Sequence, residues 1–191
     1  MRLLLDIAIG ILFATTLGFF SAWYAVERGF VFGRVTVGGW TAWPNAGSES
    51  ADPYSLAMLA RTGEVSLGAG EGIAFTAEIG KDGRLLSGRC DYRIVGQTPG
   101  ARLWTLTAYD DAGHLMANAA HRQAFHSREI LRRPDGSFVI AVSTSVKPGN
   151  WLPVAPVDHF KLVLRLYDTP VTTGSQIASL AMPEIVVERC A

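Results

Sequence analysis

Three short stretches of the chain carry residue types that can recognise or transform a ligand. Lys147-Pro148-Gly149-Asn150-Trp151-Leu152-Pro153 sets an Asn-Trp pair between two prolines, whose rings fix φ and hold a bulky side chain in one place. Trp151 in such a loop can stack on a sugar or an apolar ligand while Asn150 donates and accepts hydrogen bonds. As a plain loop, Trp151 instead plugs one end of a core and Asn150 satisfies loop backbone groups. His121-Arg122-Gln123-Ala124-Phe125-His126 and Asp158-His159 supply imidazoles and a carboxylate of the kind that acid–base or metal chemistry uses. Positions 121 and 126 differ by an odd number, so in a strand the two imidazoles face opposite ways and share no metal. Arg122, His126, Asp158 and His159 therefore join Asn150 and Trp151 as candidate binding residues, with no metal, cofactor or catalytic set assigned.

Other chemistries have less to stand on. No Gly-x-Ser-x-Gly elbow occurs, and Ser137 reads as the residue after the turn Pro134-Asp135-Gly136. Gly68-Ala69-Gly70-Glu71-Gly72 has the look of a phosphate loop, yet it precedes a strand pattern rather than a helix and so lacks the helix dipole that draws anions. Arg165 and Tyr167, with Arg102, Arg122 or nearby carboxylates as neighbours, read as a solvated sheet face.

Charge removes one class of partner. The 191 residues contain 17 Lys and Arg against 17 Asp and Glu, and no basic run, so the field that nucleic-acid binding draws on is missing. A charged fraction of 18% with 10% aromatics is also unlike a disordered chain. Cys90 and Cys190 are the only two cysteines and form no CxxC. If they pair, the disulfide ties a last strand to the strand that begins near Arg89 and places the domain in an oxidising compartment. Two unpaired buried thiols in a cytosolic domain are the alternative.

These candidates must be positioned by what surrounds them. Ile7–Val26 is an uncharged apolar stretch of about 20 residues, the length that spans a hydrocarbon core of about 30 Å. Trp23 and Tyr24 sit where an interfacial aromatic belt would, and Glu27 and Arg28 mark the exit into water. We read it as a retained anchor rather than a cleaved signal peptide, whose apolar region is shorter and ends in small residues. Arg2 on one side against Arg28 and Arg34 on the other leaves orientation to the cysteines: a disulfide requires the amino terminus inside. The expectation is a single pass of a bacterial inner membrane, with the bilayer as partner through residues 7–26 and the domain in the periplasm.

Residues 1–29 then form the anchor, 30–51 an extended connector whose Trp40 and Trp43 are expected to be buried against the domain, and 52–191 the domain. Asp52 as cap, Pro53 at the first helical position and Gly63 as stop predict a helix over Pro53–Thr62, with Leu56, Leu59 and Ala60 as its packing face. Alternation predicts strands at Gly72–Ile79, Arg89–Val95, Leu103–Tyr109, Ser137–Val142, Phe160–Tyr167 and about Glu184–Arg189. Strands recurring with turn signals and one short helix predict a mainly β fold, an antiparallel β-sandwich of jelly-roll type.

Asp52-Pro53-Tyr54, Ala60-Arg61-x-Gly63, Trp104-Thr105-Leu106-Thr107-x-Tyr109-Asp110, Pro134-Asp135-Gly136-Ser137, Asn150-Trp151-Leu152-Pro153 and Leu164-Arg165-Leu166-Tyr167 follow one another in an order that resembles the bacterial family catalogued as domain of unknown function 1214. The resemblance covers approximately Asp52 to Pro170 and is to the short, single-span members. It implies a β-sandwich on the envelope side and no activity, the family being uncharacterised. The expected role is a ligand-binding or envelope-supporting protein whose partner is carbohydrate, lipid or an envelope protein. The alternatives are an enzyme acting on envelope carbohydrate or lipid, and a docking module for another membrane protein, which an exposed patch holding Trp40 or Trp43 would favour.

Overall fold

Apolar runs, caps and period-two alternation resolve into two α-helices and ten strands in a computed structural model that describes residues 2–27, 33–63, 65–68, 70–173, 177 and 180–190. In chain order they are α1 (Arg2–Glu27), β1 (Val35–Val37), β2 (Trp40–Ala42), α2 (Pro53–Thr62), β3 (Gly72–Ala77), β4 (Cys90–Gly96), β5 (Leu103–Asp110), β6 (Ala124–His126), β7 (Phe138–Ser143), β8 (Asn150–Pro153), β9 (Phe160–Tyr167) and β10 (Glu184–Cys190). Arg28 at the expected membrane exit and Ala69 in the expected glycine-rich turn lie outside the described residues.

The helices make one unit and the strands another. In the first, α1 is apolar on every side and none of its residues is buried, so its 26 residues have the length and composition of a membrane span or of a signal sequence. Helix α2 has the bounds the cap residues predict. The Asp52 carboxylate accepts from Tyr54 N and Ser55 N, Pro53 opens the helix, and Gly63 closes it at φ 66°, donating its N–H to Leu59 O at 2.9 Å. The expected packing face is corrected. Leu56 and Ala60 are exposed, the covered side carries Ser55, Met58 and Leu59, and the helix belongs with α1 rather than with the strands.

In the second unit, β1-β2-β3-β9-β5-β6 form a six-stranded antiparallel sheet and β10-β4-β7-β8 a four-stranded one. Two expectations change here. Residues 35–42, in the expected connector, are a hairpin that pairs with β3 through Thr41↔Thr76 and Ala42↔Phe75; Trp40 is fully buried, as expected, and Trp43 half-buried. Burial of a large ring repays the ordering of so short a hairpin. The smaller sheet is also mixed rather than purely antiparallel, because β8 runs parallel to β7 after a link of only six residues, 144–149. Parallel neighbours ordinarily need a much longer crossover. Gly149 at φ 80° gives the backbone the left-handed turn this return uses.

The sheets share one apolar core. Phe75, Leu106, Leu164 and Leu166 come to it from the larger sheet, and Ile94, Phe138, Ile140 and Leu152 from the smaller. Trp104 meets Phe138 across the gap with ring centroids 5.3 Å apart, and Tyr92 meets Phe160 edge-on at 5.8 Å. Cys90 and Cys190 face each other in the β4–β10 ladder, their Cα atoms 4.0 Å apart, and are joined as a disulfide. The bond fixes the last strand to the fourth, as expected.

Candidate functional site

Register decides which side chains of the smaller sheet share its outward face. Val186 pairs with Arg93, Arg93 with Ala141 and Ala141 with Trp151, so these four stand in one row across β10, β4, β7 and β8. A bulge in β10 between Val187 and Arg189 frees Glu188, whose carboxylate meets the Arg93 guanidinium at 2.7 Å. The segment before β7 and the link before β8 rise on either side of Val139 and Ala141. Between them lies a groove of about 470 Å³ whose polar lining comes from Arg93, Arg132, Arg133, Lys147, Asn150 and Glu188. Four cationic side chains thus converge with one exposed carboxylate.

Each cation is held differently. Arg132 donates to Gly136 O at 2.9 Å and lies over the Trp104 and Phe138 rings at 6.0 and 5.8 Å, which steers its plane without neutralising it. Among the described residues Arg132 and Arg133 have no carboxylate within ion-pair distance. Lys147 reaches down to Asp91 at 2.7 Å. Asp91 shares the outward face with Arg93, one step along β4, and is buried there: it also accepts from Ser143 Oγ at 2.5 Å and from Arg189 at 3.1 Å. The hydrogen bond from Lys147, then that from Ser143, and then the charges of Lys147 and Arg189 hold the Asp91 carboxyl below its ordinary value against the opposing effect of burial.

Asn150 is a clamp. Its side chain is buried, its Oδ1 accepts from Leu131 N at 2.8 Å, and its Nδ2 donates to Leu131 O and Val139 O, both at 2.9 Å. The amide stands in for a strand residue, pairing with both backbone groups of Leu131. Trp151 is half-buried and donates its indole N–H to Ser143 O at 3.0 Å; the groove takes in Asn150 but not the Trp151 ring.

The remaining candidates stand elsewhere. Arg122 is exposed, its guanidinium 4.7 Å from the Phe125 ring centre, in a turn held by Asn118 through Arg122 N and O. His126, on β6 at the edge of the larger sheet, faces Glu129 at 3.4 Å. Asp158 pairs with Arg89 at 2.6 Å, and His159 beside it is exposed. Among the described residues no hydrogen bond or ion pair joins the Asn150–Trp151 pair, the Arg122–His126 pair and the Asp158–His159 pair to one another, and no three His, Cys, Asp or Glu side chains gather as a metal would need. Arg165, expected on a solvated face, donates to Tyr109 Oη at 3.0 Å.

Sequence reasoning missed Asp91, Arg93, Arg132, Arg133 and Lys147. The signal present was local: Asp91 and Arg93 share parity in Cys90–Gly96, and Arg132-Arg133 abuts the turn at Pro134. Bringing them together takes the tertiary register.

A family model described as a protein of unknown function (DUF1214) matches residues 71–171. It takes in β3 to β9 and all of the groove except Glu188, while the Asp52-Pro53-Tyr54 and Ala60-Arg61 motifs fall outside it. No curated protein matches the chain. Among solved structures, the VPA0106 protein from Vibrio parahaemolyticus is similar over 73% of this chain and 36% of its own, at 24% identity and a TM-score of 0.60. This chain therefore spans about a third of that protein's length, and the likeness is one of fold. A putative uncharacterized protein from Burkholderia cenocepacia is 18% identical over 90% of this chain and 49% of its own, with a TM-score of 0.38.

Proposed function

The chain belongs to the DUF1214 family of proteins of unknown function, and on that footing we propose that it is a membrane-tethered binding domain that captures anionic groups of envelope carbohydrate or lipid. Helix α1 is then a retained single span of a bacterial inner membrane, its amino terminus in the cytoplasm and the strands in the periplasm. The span-length apolar helix and the disulfide support that placement. Tethering confines the domain to a surface and raises its effective concentration toward ligands held on the same surface.

The observation that carries the reading is the groove where Arg93 and Lys147, paired with Glu188 and Asp91, stand beside Arg132 and Arg133, which have no carboxylate within ion-pair distance among the described residues. Guanidinium groups suit carboxylate and phosphate oxygens, which they meet with paired N–H donors. The test is calorimetric titration of the detergent-solubilised full chain with glucose 1-phosphate and with glucose. We expect saturable binding of the phosphate ester alone, weakened about tenfold by the pair Arg132→Ala and Arg133→Ala and weakened by salt. Equal response to both sugars, or binding unmoved by the double substitution, overturns the reading.

A further inference from the structure

Helix α2 is covered on one side only, and the open side is the wrong kind for water. Successive residues turn by about 100° in a helix, which sets Leu56, Ala60, Pro53 and Ala57 along one face with Arg61 and Tyr54 at its border. All six are exposed, Leu56 by 51%, and no acidic residue occurs in the helix. The opposite face, Ser55, Met58 and Leu59, is the covered one. A ten-residue helix of this kind has too few turns to be stable alone in water and needs a surface for its apolar face.

The second observation says which surface. Arg61, in the last turn of α2, meets Glu27 at the end of α1 at 2.5 Å. The apolar run of α1 ends at Val26, with Trp23 and Tyr24 just before it, so with α1 across a bilayer Glu27 lies at the boundary of the hydrocarbon core. The ion pair sets the last turn of α2 at that same level. We propose that α2 lies in the interface of the membrane that α1 spans, on the side where α1 ends, with Leu56, Ala57 and Ala60 turned to the lipid. Tyr54 and Arg61 flank this face and reach back to the headgroup level, as amphipathic side chains do. The ligand is the bilayer itself, and the proposal rests on the reading of α1 as a retained span.

The experiment uses the full chain with its disulfide intact, where no other free thiol competes among the described residues. Leu56→Cys, Gly18→Cys and Val146→Cys are each labelled with an environment-sensitive fluorophore, in vesicles of phosphatidylcholine and phosphatidylglycerol at roughly three to one. Quenching is read with nitroxide lipids and with iodide. We expect position 18 to be quenched only from lipid. Position 56 should be quenched from lipid at headgroup depth, with iodide quenching about threefold or more weaker than at exposed position 146. If position 18 responds to lipid and position 56 is open to iodide, the span stands and the proposal for α2 falls. A position 56 shielded from both quenchers also overturns it, because a protein surface then covers the helix. If position 18 does not respond to lipid, the reading of α1 fails and takes this proposal with it.

Discussion

Trp40 donates its indole N–H to the carbonyl of Pro183 at 2.7 Å, closing a contact between residues 143 apart in sequence. One partner belongs to the first hairpin and the other to the segment that leads into the last strand, and both are buried. Residues 35–42 are thereby part of the folded unit. Trp40→Phe keeps most of the apolar surface but leaves a buried carbonyl unpaired, so we expect a loss of about 1–3 kcal/mol in denaturant unfolding. Trp40→Ala should lose about 3–5 kcal/mol. An unchanged midpoint for the alanine variant would return this hairpin to the status of a linker.

Asn150 tests whether the loop before β8 is scaffold or binding surface. Its amide serves Leu131 N, Leu131 O and Val139 O at once. Asn150→Ala should therefore destabilise by about 1–3 kcal/mol, since Leu131 N, Leu131 O and Val139 O lose their side-chain partner. Asn150→Asp keeps the acceptor for Leu131 N and loses both donors, so it should unfold no more readily than the alanine variant only if charge burial is relieved by protonation at low pH. Thermal unfolding of the three proteins at neutral and acid pH measures this. If Asn150→Ala changes glucose 1-phosphate binding but not the unfolding midpoint, the residue contacts ligand rather than scaffold.

What could be read in the residues divides along local lines. The bounds of α2 follow from Asp52, Pro53 and Gly63, three residues whose effects act within one turn. Strand β9 follows from eight residues of alternation, although Val163, which shares the outward parity of Lys161 and Arg165, is also buried. Strands β1, β2, β6 and β8 hold three or four residues each, too few for alternation to show. A signal for the first hairpin was present in Gly38-Gly39, both at positive φ between Val37 and Trp40, the two-residue turn that joins paired strands. The groove was hidden for a different reason. Arg93 and Lys147 lie far apart in sequence and meet only through the β4–β7 register and the parallel return to β8.

The disulfide closes a loop of 100 residues between paired strands, and in the chain-entropy account such a link stabilises by about 4–5 kcal/mol, less any strain. Cys190→Ser should lower the melting temperature by roughly 10 °C or more. Reduction should bring the parent protein down to the variant's value and leave the variant unmoved. Differential scanning calorimetry with and without reductant decides it, and a parent that melts alike in both conditions would show that the β4–β10 ladder alone holds the last strand.

Asp91 gives the smaller sheet a pH dependence whose sign is fixed. Its carboxyl is held below the ordinary value, so the folded protein binds its proton more weakly than the unfolded chain does. The resulting stability is complete above the unfolded value of about 3.9 and is lost as pH falls through the lower folded one. Asp52, Asp110 and Asp135 are lowered as well, by hydrogen bonds at a helix cap and two turns, so the acid limb of the parent protein is shared among them. The informative quantity is the difference between the parent and Asp91→Asn. At pH 7 the variant should be the less stable, with Lys147 and Arg189 left without their carboxylate. That difference should hold down to about pH 5 and then shrink, with a slope of at most about 1.4 kcal/mol per pH unit. Denaturant unfolding across this range checks it; two curves that stay parallel into strong acid would mean that Asp91 holds its proton equally well folded and unfolded, and that its contacts with Lys147 and Ser143 do not form in solution.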